Sequence, residues 1–153
     1  MSTNSGSRIT ILFHRLLRTD LLYILIAAGI IRISLAATRS FWGDEASTLH
    51  LICLPVTYLL THFDLWLTMN VFLVVEKIIA RCFGEGLITM RLISIVADLG
   101  SITAIYYLSG RLFPNMPRYL PAILFAANPH AIDFSATARV YSLFVFLALL
   151  MLL

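Results

Sequence analysis

The stretch LITMRLISIVADLGSITAIYYL, residues 87–108, decides the class of this protein. As a helix it would be about 33 Å long at 1.5 Å per residue, enough for a hydrocarbon core of roughly 30 Å. It contains Arg91, one turn from its start, and Asp98, near its middle. A charge that deep in lipid is costly, so Asp98 needs a bond to a neighbouring helix or a place in a proton path. Gly110-Arg111 closes the run, and Pro114, Asn115 and Pro117 break the loop Leu112–Arg118 that follows.

Reading upstream, a second apolar run covers Leu21–Ala37, interrupted at Arg32 and preceded by Arg8, Arg15 and Arg18. Ala36-Ala37-Thr38 at its end has the outline of a signal-peptide cleavage site. Arg32 inside the run and the further spans favour an uncleaved first span instead. Met1–Ser7 is small and polar and reads as a disordered tail. Residues 1–20 are accordingly assigned to a cytoplasmic N-terminal tail and 21–153 to the membrane part. The basic flank puts the N-terminus in the cytoplasm, and Arg111 and Arg118 put the 112–118 loop there too. Downstream, a third span is expected over about Tyr119–Phe134, with Pro121 near its start and Pro129 inside. A fourth begins near Tyr141 and is still apolar at Leu153.

Composition agrees. The 153-residue chain is 60% hydrophobic and 12% charged, with a mean hydropathy of +0.92. Soluble domains carry about a quarter charged residues. Half of that cannot coat a globule, so lipid is the solvent, with room for three to five spans of about 20 residues each. The expected fold is an all-α polytopic transmembrane helical bundle of about four spans. A net charge of +3 with no basic run gives no reason to expect nucleic acid.

Ser40–Gly86 separates the first two clear spans and falls on the extracytoplasmic side. Apolar residues dominate it, broken by Asp44, Glu45, Pro55, His62, Asp64 and Glu76. Val71, Val75, Ile78 and Cys82 recur at helical spacing, with Asn70, Lys77 and Arg81 on another face. That pattern suits an interfacial helix; the rival is a transmembrane hairpin over Leu51–Ala80. Cys53 and Cys82 are either an extracytoplasmic disulfide or two small apolar residues at a membrane surface. His50, His62 and His130 lack ligand spacing, and no metal is expected.

Phe41-Trp42-Gly43-Asp44-Glu45-Ala46 is the sharpest local motif. Trp42 suits an interface, with an apolar ring and a wet N–H. The adjacent carboxylates have two readings: a base for a hydroxyl proton at the membrane surface, or acidic residues offsetting a helix dipole. Arg91, near phosphate depth, is either a phosphate-binding cation or a snorkelling side chain. Arg139 and Tyr141, beyond Ser135-Ala136-Thr137, make a second phosphate contact or an interfacial anchor.

In this order the motifs resemble the GT-C membrane glycosyltransferases, the protein O-mannosyltransferase-like and aminoarabinose-transferase-like enzymes and their bacterial relatives. Trp42-Gly43-Asp44-Glu45-Ala46 matches their motif after the first span. Glu76-Lys77, Phe83-Gly84 and Arg91-Leu92 look like the pattern that opens their next span. Asn128-Pro129 and Ala138-Arg139-Val140-Tyr141 resemble a later segment. The likeness covers roughly Leu21–Leu153. It implies Asp44 as catalytic base, Glu45 assisting the acceptor, and Arg91, Arg139 and Tyr141 facing the donor phosphate. It further implies a polyprenyl-phosphate sugar donor, a glycan, lipid or protein acceptor, inversion at the anomeric carbon and no cofactor. The place would be the inner (plasma) membrane, multi-pass. Such enzymes have many more spans, so this chain is expected to be an N-terminal part, inactive alone. Where many relatives carry a Pro pair before the Phe-Gly, this chain reads Thr68-Met69-Asn70, so no acceptor subfamily is implied. The alternative from another class is a small polytopic protein with a transport or assembly role. Convergence of Asp44, Glu45 and Arg91 at a surface favours a transferase; partners for Asp98 near mid-membrane favour a transporter.

Overall fold

The computed structural model describes the backbone of residues 5–61 and 70–153, and the side chains of 19–61 and 70–153. Expectations that rest on Met1–Asn4, His62, Asp64, Thr68 and Met69 lie outside the described residues. The described residues form eight α-helices: α1 Ser5–Thr38, α2 Gly43–Ile52, α3 Val56–Thr61, α4 Asn70–Phe83, α5 Leu87–Leu112, α6 Tyr119–Ala126, α7 Pro129–Ser135 and α8 Tyr141–Leu152. Among the described residues two segments are long and apolar enough to cross a membrane, Thr19–Thr38 of α1 and Leu87–Leu112.

α5 is the central post. α1 lies antiparallel to it, with Arg91 reaching Ala36 at one end and Asp98 reaching Arg32 further down. Toward the other end Leu21 and Ala28 pack with Ile102, Tyr106 and Ala122. α6 starts beside that lower end, where the Ser109 hydroxyl donates to the Arg118 carbonyl at 3.2 Å. α8 starts near the top of α5 and runs parallel to it. Gly100 makes this packing close, because a Cβ there would fall 2.6 Å from the Phe146 ring. The short helices α2, α3 and α4 gather over the top, where Ile52, Leu59, Phe72, Leu73, Met90, Ala138 and Val140 form a second core.

Three expectations change. The disorder expected up to Ser7 gives way to helix: α1 begins at Ser5, and from Ser7 to Ala28 the sequence holds neither proline nor glycine to stop a helix. The span expected over 119–134 is not continuous. Pro129 has no N–H and restricts Asn128 to extended backbone, φ −67° and ψ 121°. α6 therefore stops at Ala126 and α7 restarts at Pro129, with the Asn128 side chain accepting the His130 N–H at 2.9 Å. The third change concerns α4. Its Val71, Val75, Ile78 and Cys82 are exposed as a stripe, but Asn70 and Lys77 point inward and are buried with Glu76. The Lys77 ammonium donates to the Ile52 carbonyl at 2.7 Å and to that of Leu54, closing the C-terminal end of α2. α4 has 14 residues, short of the roughly 20 a span needs.

Candidate functional site

The residues singled out at 44, 45, 91 and 139 come together where α1, α2, α5 and the 136–140 turn meet. The local chain explains how. α1 ends at Thr38, Trp42 is extended, and α2 starts at Gly43. Glu45, three residues into the new helix, reaches back to accept the Trp42 N–H at 3.1 Å, as a capping-box glutamate does. Its carboxylate is otherwise turned inward, and the residue is 2% exposed.

Arg91 meets it there. Nε donates to Oε1 at 2.8 Å and Nη2 to Oε2 at 2.7 Å. Nη1 donates to the carbonyls of Ala36 at 2.6 Å and Arg39 at 2.8 Å, and Nη2 also to Ser40 at 3.1 Å. A guanidinium has five N–H bonds, and all five are used. Arg91 thus closes the open carbonyls at the end of α1 and fixes Glu45 simultaneously. The Phe41 ring stacks on it at 5.4 Å.

Glu45 Oε1 also accepts the Ala138 N–H at 2.7 Å. Burial by itself would raise this carboxyl. The Arg91 hydrogen bonds, the N–H groups of Ala138 and Trp42 and the Arg91 charge outweigh it and hold the group below the usual carboxylate range. Thr48 Oγ1 donates to the Ala138 carbonyl at 3.3 Å and Ser94 Oγ to the Arg139 carbonyl at 2.9 Å. The 138–139 backbone is therefore fastened from α2 and from α5.

The outcome of that fastening is the Asp44–Arg139 pair. Arg139 Nη2 lies 2.7 Å from Asp44 Oδ2, with the arginine side chain 10% exposed and the aspartate 73% exposed. An open carboxylate thus stands on a well-anchored cation.

Among the expected site residues, Asp44 is open to a ligand and Arg139 lies behind it, nearly buried, with Nη2 on the Asp44 carboxylate. Glu45 and Arg91 are both buried with their polar atoms occupied by each other and by backbone. In this arrangement every Arg91 N–H is engaged, so none is left to face a phosphate. Tyr141 opens α8 with its ring half-exposed against Phe134, centroids 5.1 Å apart, away from any polar contact among the described residues. Cys53 and Cys82 are free and exposed, so no disulfide joins them here. Among the described residues no cluster of His, Cys, Asp and Glu has the geometry to hold a metal ion.

Sequence reasoning did not find the partner of Asp98. Arg32, noted above only as an interruption of the first apolar run, places Nε 2.5 Å from Asp98 Oδ2. Its other nitrogens donate to the carbonyls of Ala28 and, at 3.3–3.4 Å, Ala126, the last residue of α6. Both residues are buried. The signal was present: unlike charges near the middle of two separate apolar runs satisfy each other most cheaply across a helix pair. Compared with family models, curated proteins and solved structures, the chain matches none of them.

Proposed function

We propose that the chain is part of a membrane glycosyltransferase that moves a sugar from a polyprenyl-phosphate-linked donor to an acceptor hydroxyl at the extracytoplasmic face. In this reading it forms a polytopic bundle of about four spans in the inner membrane, with the N-terminus cytoplasmic and α2, α3 and α4 at the outer interface. The observation that carries it is the Asp44–Arg139 pair, an accessible carboxylate 2.7 Å from a nearly buried guanidinium.

The chemistry needs those two groups side by side. An acceptor oxygen attacks the anomeric carbon, its proton goes to a carboxylate, and the sugar–phosphate C–O bond breaks with the electrons leaving on the phosphate. Asp44 is the base and Arg139 meets the phosphate. A fixed cation aimed at the growing charge contributes a few kcal/mol. For both roles to operate, the phosphate takes the Arg139 fork from Asp44, which frees the carboxylate to accept a proton. Glu45 and Arg91 act one step back, as positioning residues for the α2 start and for Ala138-Arg139.

The test uses the complete gene product that carries this sequence, in membranes supplied with a polyprenyl-phosphate sugar. Asp44→Asn should lose about two to four orders of magnitude in turnover while inserting and folding normally. Transfer within threefold of the unaltered protein would remove Asp44 from the role of base.

A second reading, a small polytopic protein with a transport or assembly role, is favoured by a different observation. The buried Arg32–Asp98 pair sits at the break between α6 and α7, and broken helices at mid-membrane frame the binding sites of many transporters.

A further inference from the structure

A recess of about 170 Å³ opens between α5, α7 and α8, with Asp98 at its inner end and Asn128 and His130 among the residues that line it. Its walls combine apolar surface from Phe125, Phe134 and Val145 with a few polar groups. One of those groups stands out. Ser142 is 4% exposed, and its hydroxyl oxygen has no hydrogen-bond partner among the described residues. Asp98 gives one oxygen to Arg32, while Asn128 spends its carbonyl on the His130 N–H and keeps its amide donors. His130 is exposed.

We propose that this recess is filled with water and gives solvent access to the Arg32–Asp98 pair from the Asn128–His130 side. Water is the ligand that fits the wall. A site must be roomy and must offer two to four polar partners to hold it, and the recess is well above the roughly 10–15 Å³ that one water needs. A water bonded to Ser142 Oγ satisfies a hydroxyl that packing leaves bare. Irregular backbone at membrane depth is tolerated where it lines such a cavity, and the break between Ala126 and Pro129 borders this one. One turn beyond His130, Asp133 pairs with Arg39, both partly exposed, so charged groups stand close to the Asn128–His130 side.

A second groove provides the contrast. It is larger, about 340 Å³, and runs between α1 and α6, lined by Ile24, Ala27, Ile31, Ile123 and Ala127 with Tyr23. Its side chains are apolar apart from the Tyr23 hydroxyl, so it offers water few partners.

The experiment uses the complete gene product in membranes, with Cys53→Ser and Cys82→Ser to remove the exposed thiols. Single cysteines are then introduced as Ser142→Cys and Ala131→Cys in the recess and Ala27→Cys in the apolar groove. A charged methanethiosulfonate reagent reacts only with thiolate, which forms only in contact with water. Both recess cysteines should be labelled at least tenfold faster than the groove cysteine. Ser142→Cys is nearly isosteric, and Ala131→Cys lies on a different helix, so a folding defect in one leaves the other to decide. Labelling of both at the groove's rate overturns the proposal.

Discussion

Arg91 and Glu45 face each other as a two-pronged pair, Nε to Oε1 at 2.8 Å and Nη2 to Oε2 at 2.7 Å, in a place where neither touches solvent. The pair links parts of the chain far apart in sequence. The carbonyls of Ala36, Arg39 and Ser40 hang on the arginine, and the N–H groups of Trp42 and Ala138 on the glutamate. Its consequence is that Asp44 and Arg139, each adjacent in sequence to a clamped residue, have fixed backbones although Asp44 itself is open.

Arg91→Lys should therefore be nearly as damaging as Arg91→Ala. An ammonium is a compact point charge without the fork, so it cannot serve one carboxylate in two places and three carbonyls together. Breaking a buried pair by removing one partner costs about 3–5 kcal/mol. Thermal unfolding of the solubilised protein should show both variants well below the unaltered one. A lysine variant that melts within a degree or two of it would refute the clamp.

Glu76 gives a pH dependence. Its carboxyl is fully buried, neither oxygen has a hydrogen bond among the described residues, and burial pushes its pKa up to about 8 from an ordinary 4.5. Between those values the folded state holds a proton that the unfolded state has lost. Stability is then highest below pH 4.5 with respect to this group and falls as pH rises to about 8, by at most about 1.4 kcal/mol per unit. Glu76→Gln lacks this slope. Melting temperatures taken across that range should show the glutamine variant gaining on the unaltered protein until about pH 8. A gap that does not change with pH would mean that the carboxyl has a partner.

The all-helical class and the two long apolar helices are legible in the sequence, because each rests on a local signal, whereas the meeting of Asp44 with Arg139, 95 residues apart, is not. Leu87–Leu108 is apolar over a bilayer's thickness. The role of Arg91 is not legible. Sequence depth alone fits phosphate binding and snorkelling equally, and what excludes both is a set of backbone carbonyls some fifty residues away. The break at Asn128-Pro129 is signalled by the proline itself, yet a proline within an apolar run also suits a kinked span. The inward turn of Asn70, Glu76 and Lys77 is hidden for another reason. The apolar stripe of α4 faces outward here, so periodicity gives the stripe but not the side it turns to the core.

Gly100→Ala tests the packing of α8 on α5. A methyl there would sit 2.6–3.0 Å from three atoms of the Phe146 ring, and such overpacking typically costs 1–3 kcal/mol. Gly100→Ala should lower the melting temperature, and adding Phe146→Leu should restore part of the loss. If Phe146→Leu gave no recovery in the Gly100→Ala background, the close contact would not exist.

The Arg32–Asp98 pair makes the sharpest stability prediction, because removing one partner and removing both should have opposite consequences. The two side chains are 0% and 3% exposed. Asp98→Asn leaves a buried guanidinium with only the Ala28 and Ala126 carbonyls of the protein to hold it. Arg32→Met leaves a carboxylate beside a recess with nothing to neutralise it. Each single change should cost about 3–5 kcal/mol. In the double variant Arg32→Met with Asp98→Leu no charge remains and the volumes are nearly kept. Replacing both ends of a buried pair by apolar groups is often neutral or stabilising. The double variant should therefore melt above either single one and close to the unaltered protein, a coupling of several kcal/mol in a double-mutant cycle. The Ala126 carbonyl loses its donor in every Arg32 variant, which sets a small residual deficit. Additive losses in the double variant would show that the two charges do not act on each other, and with that the link between α1, α5 and the end of α6 would fail.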